Sequence, residues 1–254
     1  MRHVEVVMGI PMSVDVPAPA DPRRAERAVR TAFARLHEAD RRFSRFRSES
    51  EVSRFGAGDL RPEDLSADLT EVLALATRAG LASGGAFTVR RPDGTLDTDG
   101  VVKGWAAQRA AGVLDAAGVG AFCLNAGGDV VTRGEPVPGR GWRVGVRDPS
   151  DAHRFLVVVE QRDGAVATSG TYERGAHVWD GRTGRAASGL LSATVLAADL
   201  TTADVLATCV LALGRDGVAW AAGQGATAVL AVDDDGRVVG DTAGLRLLDG
   251  APAV

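Results

Sequence analysis

Three features of the sequence predict an α+β fold, with mixed or antiparallel sheets flanked by helices. Apolar and polar residues alternate with period two at the start of the chain, helical periodicity follows over three long segments, and most strand-like runs gather after residue 141. This order is neither a strict strand-helix alternation nor a clean division into halves, which suggests an α+β sheet protein.

Val4-Glu5-Val6-Val7-Met8 and Met12-Ser13-Val14-Asp15-Val16 flank Gly9-Ile10-Pro11 and read as a short hairpin or a bent strand. Asp21-Pro22 then offers an N-cap followed by a proline at the first helical position, and Ala25, Val29, Phe33, Leu36 and Phe43 fall on one helical face. The arginines on the other side are interspersed with acids, as on a solvated surface. Residues 48–53 read as a loop. A second helix starts near Ser66, with Leu69, Val72, Leu73 and Ala76 as its apolar stripe, and ends at Ser83-Gly84-Gly85. A third spans about 101–117 and stops at Gly118.

Ala121-Phe122-Cys123-Leu124-Asn125 is short and apolar enough for a buried strand, closed by a turn over Ala126-Gly127-Gly128-Asp129. Strands are expected at 142–146, 155–159 and 165–168, with hairpin turns at Arg162-Asp163-Gly164 and at 180–184. A further strand, Ser192 to Ala197, leads into a helix over about 201–213, and Asp233-Asp234-Asp235-Gly236 turns the last strands.

A chain of 254 residues with 45% hydrophobic and 24% charged content has ample material for a core. Its net charge of −4, without a basic block, argues against nucleic acid as a partner. Cys123 and Cys209 each sit in an apolar run and read as small buried hydrophobes. No apolar run is long enough for a membrane span, and the N-terminus has a strand pattern rather than a signal-peptide pattern, so a cytoplasmic protein is expected.

Lys103 is the one lysine among 29 Lys and Arg residues. An ammonium is a compact, rotatable point charge, and a site shaped for it does not accept a guanidinium fork. It lies where a turn leads into a helix, a setting that favours anion chemistry, although one lysine can also persist on a solvated face. Asp204 and Thr208 are four residues apart, so on a helix both oxygens share a face and could ligate one hard cation. The same spacing also fits a helix start in which Thr208 turns back onto its own backbone. Asn125-Ala126-Gly127-Gly128-Asp129 and Ala167-Thr168-Ser169-Gly170 concentrate glycines and hydroxyls that can approach a phosphate or a ring, or form ordinary turns and strand ends. His177 is a candidate base or a structural strand histidine.

Taken in order, these stretches resemble the FAD:protein FMN transferases of the ApbE type. The resemblance runs from Val7 to about Gly214. It is carried by Met8-Gly9, Phe43-Ser44-Arg45-Phe46, Ser50-Glu51-Val52-Ser53-Arg54, Gly85-Ala86-Phe87, Asp97 through Lys103-Gly104-Trp105-Ala106, the 125–129 and 167–170 segments, Tyr172, Arg174 and His177, Asp180 with Thr183-Gly184-Arg185, and Thr202 through Thr208. It implies one ApbE-like domain over residues 1–254, in which two subdomains around an FAD cleft are allowed. The implied reaction is transfer of FMN from FAD to a Ser or Thr hydroxyl of an acceptor flavoprotein with an FMN-binding domain, releasing AMP. Met8, Phe46, Ala86, Phe87, Thr88, Asp97, Lys103, His177 and Val178 would contact FAD. Asp204, Thr208 and the Gly100 carbonyl would hold Mg²⁺, with Mn²⁺ or Ca²⁺ as alternatives, while Lys103 and His177 would be the catalytic pair.

The chain departs from the family pattern in three places. Thr88 stands where Asp usually follows Gly-Ala-Phe, the segment between Phe87 and Asp97 is short, and Phe46 replaces an aromatic that often carries a hydroxyl. The short segment, by leaving the phosphate open to solvent, leaves the expectation of a pyrophosphatase that splits FAD into FMN and AMP, and the departure at Thr88 that of a non-catalytic FAD-binding protein.

Overall fold

The computed structural model describes residues 1–171, 178–242 and 246–248. The chain begins with a hairpin of β1 (Arg2–Val7) and β2 (Ile10–Asp15), turning through Met8 and Gly9, both at positive φ. Helix α1 (Pro22–Phe43) starts where the sequence predicts, with the Asp21 side chain accepting from the Arg24 N–H. All five predicted core residues of its inner face are buried. Helix α2 (Glu51–Ala57) occupies part of the expected loop. Ser50 caps it and Gly58 ends it in the left-handed conformation, but at seven residues it is too short to leave a periodic signal.

Helix α3 (Ala67–Ala82) is capped by Ser66 as expected, and α4 (Asp99–Ala116) follows after the loop that carries Asp97. β3 (Phe122–Ala126) and β4 (Asp129–Arg133) form a hairpin across Gly127-Gly128, whose second strand the sequence reading did not separate from the turn. β5 (Trp142–Asp148), β6 (Asp151–Gln161) and β7 (Gly164–Gly170) come next, then β8 (Trp179–Asp180) paired with β9 (Arg185–Ala186). β10 (Leu190–Ala197), α5 (Leu200–Leu213) and α6 (Asp216–Ala222) precede β11 (Ala228–Asp233), β12 (Val238–Asp241) and β13 (Arg246–Leu248).

Among the described residues, eight strands pair in the order β1-β2-β3-β4-β7-β10-β11-β12, every neighbour antiparallel. A smaller sheet has the order β13-β6-β5. The turn at Arg162-Asp163-Gly164 is therefore not the hairpin expected from sequence: β6 belongs to the small sheet, and β7 enters the large one between β4 and β10. Turn chemistry reports a reversal of direction, whereas pairing depends on which apolar faces meet.

On one face of the large sheet, α5 packs against β7 and β10, and α4 lies between α5 and α1. Helix α5 is apolar almost all round, as a helix inside a core must be, whereas α4 keeps Arg109 and Asp115 at the surface. On the other face, Val144, Val146 and Val159 of the small sheet meet Val130, Val166, Leu196 and Leu230. Cys209 is fully buried and Cys123 partly so; neither is in a disulfide, and burial pushes both thiols up to about 12. Among the described residues, no helix is long and apolar enough to cross a membrane.

Candidate functional site

A cavity of about 1170 Å³ opens beside the turns at Met8-Gly9 and Gly127-Gly128, the end of β7, the start of α4 and the middle of α5. It exceeds the ~300–1,000 Å³ of ordinary small-molecule sites, which leaves room for an extended ligand. Met8 enters its wall with φ 54, in the left-handed region that a non-glycine residue adopts at a cost. Gly127 is confined beside it: a Cβ there would lie 2.6 Å from Ile10 Cδ1. That close approach brings the two turns together at one end of the sheet.

The cavity floor is a charged cluster in an apolar setting. Lys103 on α4 forms ion pairs with Asp129, at the start of β4, and with Asp204 on α5, the latter at 3.4 Å. Both aspartates are only 2% exposed, while the lysine side chain keeps 25% of its surface open on the cavity side. Asp204 is tied down further, its Oδ2 accepting from the Gly104 N–H at 2.8 Å. Asp129 Oδ1 accepts from the Thr168 N–H at 2.9 Å. Burial raises the Asp204 carboxyl above its ordinary range, with Lys103 pulling it back and Asp129 adding to the rise. Burial alone would lower the Lys103 ammonium, but the two carboxylates outweigh it and hold the group charged.

Gly104 makes this cluster geometrically possible. A Cβ at that position would meet Asp204 Cβ at 2.6 Å and the Leu200 carbonyl at 2.7 Å, so only glycine allows α4 and α5 this close. The Leu200 N–H, donating to Gln108 Oε1 at 2.8 Å, fastens the same helix pair.

Most residues singled out from sequence converge here. Met8, Phe46, Phe87, Thr88, Asp97 and Val178 line the cavity, as do Gly100, Lys103, Asp204 and Thr208. Ala86 does not: it is fully buried behind the wall, and its carbonyl accepts from the Gly181 N–H at 2.9 Å. His177 lies outside the described residues. Phe46 is 80% exposed at the rim, with the Arg45 guanidinium 4.3 Å from its ring centre. Thr88 spends its hydroxyl locally, accepting from the Arg90 N–H and donating to the Arg90 carbonyl. Asp97 ties the wall together, taking Arg91 Nε at 2.7 Å and, through its other oxygen, capping the Asp99 N–H at the start of α4.

Arg45, Arg91, Ser169 and Trp179 also line the cavity and Asp129 lies beneath it; the sequence motifs include Arg45, Ser169 and Asp129 without assigning them a role, and do not single out Arg91 or Trp179. Arginine is too frequent in this chain to stand out, and a carboxylate after two glycines reads as turn chemistry.

The donors around Asp204 suit a hard cation. Among the described residues, no three His, Cys, Asp or Glu side chains converge as a metal site. Gly100, Asp204 and Thr208 line the same cavity, and a Cβ on Gly100 would be 3.5 Å from Thr208 Cγ2. Oxygen sets with few charges, completed by water and substrate phosphate, are typical for Mg²⁺. Thr208 Oγ1 also turns back to donate to the Asp204 carbonyl at 3.1 Å, as the alternative reading of the spacing expects, and it pairs with Ser169 Oγ. The helix start, however, is capped by Asp199 rather than by Asp204.

The sequence profile of the ApbE family matches residues 8–91 and 88–231. The chain belongs to the ApbE family. It is 34% identical over 195 residues to an FAD:protein FMN transferase of Rhodobacter capsulatus, covering 71% of this chain and 37% of that protein. A Vibrio cholerae protein of the same name is 32% identical over 49% of this chain and 40% of its own length. Each of these matches thus spans less than half of the relative. The fold agrees with that of the ApbE protein of Thermotoga maritima, with a TM-score of 0.82 at 22% identity over 96% of this chain and 97% of that one. In this ApbE-family chain, the Lys103, Asp129 and Asp204 cluster therefore lies on a family scaffold.

Proposed function

We propose that this chain transfers FMN from FAD to a Ser or Thr hydroxyl of an acceptor flavoprotein with an FMN-binding domain, releasing AMP. The observation that carries the reading is the cavity floor. An ammonium and a carboxylate meet there beneath a space large enough for a dinucleotide, in a family whose curated relatives bear the name FAD:protein FMN transferase.

In the proposed reaction, the acceptor oxygen attacks the phosphorus of the FMN half. The new phosphoester bond forms, the P–O bond of the pyrophosphate bridge breaks, and its electron pair departs on AMP. Lys103 directs a positive charge at the developing phosphate charge, in a floor shielded from water where such a charge acts strongly. Mg²⁺, Mn²⁺ or Ca²⁺ held by Asp204, Thr208 and the Gly100 carbonyl would supply charge neutralisation at the pyrophosphate. Met8, Phe46, Phe87, Thr88, Asp97 and Val178 are the proposed FAD contacts, with Ala86 supporting Phe87 from behind. His177 is assigned to take the hydroxyl proton. In this reading residues 1–254 act as one unit around the FAD cleft, and the acceptor is cytoplasmic.

The test is the intact mass of a candidate FMN-binding-domain protein after incubation with this protein, FAD and Mg²⁺, beside a chelator control. A metal-dependent gain of one FMN less water is expected, and Asp204→Ala should abolish it. Cleavage of FAD to free FMN and AMP without a mass gain would replace transfer by hydrolysis. Full labelling by Asp204→Ala would remove the metal assignment.

A further inference from the structure

Asp129 has no place in the proposed metal shell, yet it is as deeply buried as Asp204 and closer to Lys103. Resting on the metal reading above, we propose that Asp129 is a positioning residue that draws the Lys103 ammonium off Asp204, so that Asp204 Oδ1 can face a divalent cation.

The distribution of oxygens supports this division of labour. Asp204 Oδ2 is occupied by the Gly104 N–H, so Oδ1 is the oxygen left for a cation, and it is the one Lys103 meets at 3.4 Å. Asp129 Oδ1 is held by the Thr168 N–H. Its Oδ2 is buried and, among the described residues, is paired with the Lys103 ammonium. A buried carboxylate without a counter-charge is costly, so Asp129 holds the ammonium firmly. A cation arriving at Asp204 would therefore displace a lysine that already has a second anchor, rather than expel it into solvent. Without that anchor the ammonium would settle on Asp204 and compete for the metal's oxygen.

The Asp129→Asn variant keeps the acceptor for the Thr168 N–H and removes the charge that holds Lys103. The direct test is the dissociation constant for Mn²⁺, read by electron paramagnetic resonance, in a cycle of wild type, D129N, K103Q and the double variant. D129N should weaken Mn²⁺ binding at least tenfold when Lys103 is present and change it less than threefold in the K103Q background, because the effect passes through the lysine. An equal change in both backgrounds would mean that Asp129 acts only as a nearby charge, and no change in either would remove its role; both results overturn the inference. Wild type that binds no Mn²⁺ would overturn it together with the metal assignment.

A second measurement needs no variant that might fail to fold. As the chain has one lysine, ¹⁵N-lysine labelling yields a single side-chain ammonium signal. On Mg²⁺ titration that signal should shift while its protons stay protected from exchange. Loss of protection on saturation would show the lysine expelled to solvent, and the inference would be wrong.

Discussion

At the level of single residues, the cavity floor turns on the difference between lysine and arginine. Twenty-eight basic positions tolerate arginine, and the one that does not lies between two carboxylates that are each 2% exposed. A planar guanidinium in that space would have to push apart helices that glycine packing has already brought into contact. Lys103→Arg should therefore lower turnover by about 10²–10³-fold, the usual cost of losing one preorganised electrostatic group, with the protein still folded. AMP release under saturating FAD, with circular dichroism as the fold control, checks this; turnover within a factor of three of wild type would refute the role given to Lys103. Both the rarity of this lysine and the oxygen pair at Asp204 and Thr208 were legible in the sequence. Asp129 was legible only as part of a turn, because its function depends on β4 placing it beside Lys103, 26 residues upstream, a relation no local pattern encodes.

At the level of elements, helices and caps were largely readable from sequence, since Asp21 and Ser66 announce themselves through local hydrogen bonding. Strand partners were not. The small sheet that separates β6 from β7 exists because Val144, Val146 and Val159 have an apolar face to cover, and periodicity says nothing about which face that is. Two element contacts yield tests. Gly104→Ala should cost about 1–3 kcal/mol from overpacking against Asp204 and Leu200, offset by up to about 1 kcal/mol of gained helix propensity. A urea midpoint lowered with an unchanged slope is the expected result. The second contact joins β1 to α1, where Glu5 binds His3 and His37 through its two oxygens at 2.6 Å each. Hydrogen bonds from His3 and then His37 hold the Glu5 carboxyl below its ordinary value of 4.5. A depressed carboxyl contributes stability that is present above the unfolded value and is lost as pH falls through the folded one. Wild type should thus be more stable than Glu5→Gln at pH 7, and the gap should close below about pH 4.5; a gap that is constant from pH 7 to pH 3 would show that Glu5 contributes no linked proton.

At the level of the whole molecule, the cavity is assembled from segments far apart in sequence: the Met8-Gly9 turn, the Arg45-Phe46 rim, the start of α4, the end of β7, β8 and α5. An unfolded chain cannot reproduce that convergence, so a ligand spanning it binds the native state alone and stabilises it by mass action. With FAD at a hundred times its dissociation constant, FAD binding contributes about 2.7 kcal/mol, which corresponds to a rise in Tm of about 5–10 °C for a chain of this size, and Mg²⁺ adds its own increment. The two contributions should separate. FAD alone would engage the wall at Phe46, Phe87 and Val178 and keep part of the rise, while the increment from Mg²⁺ would disappear in Asp204→Ala. Differential scanning fluorimetry of both proteins with each ligand alone and together gives the four values required. A Mg²⁺ increment that survives in Asp204→Ala would place the cation elsewhere on the molecule. A wild-type Tm unmoved by FAD would mean that these segments converge around some other ligand, because a dinucleotide held by all of them cannot leave the folding equilibrium unchanged.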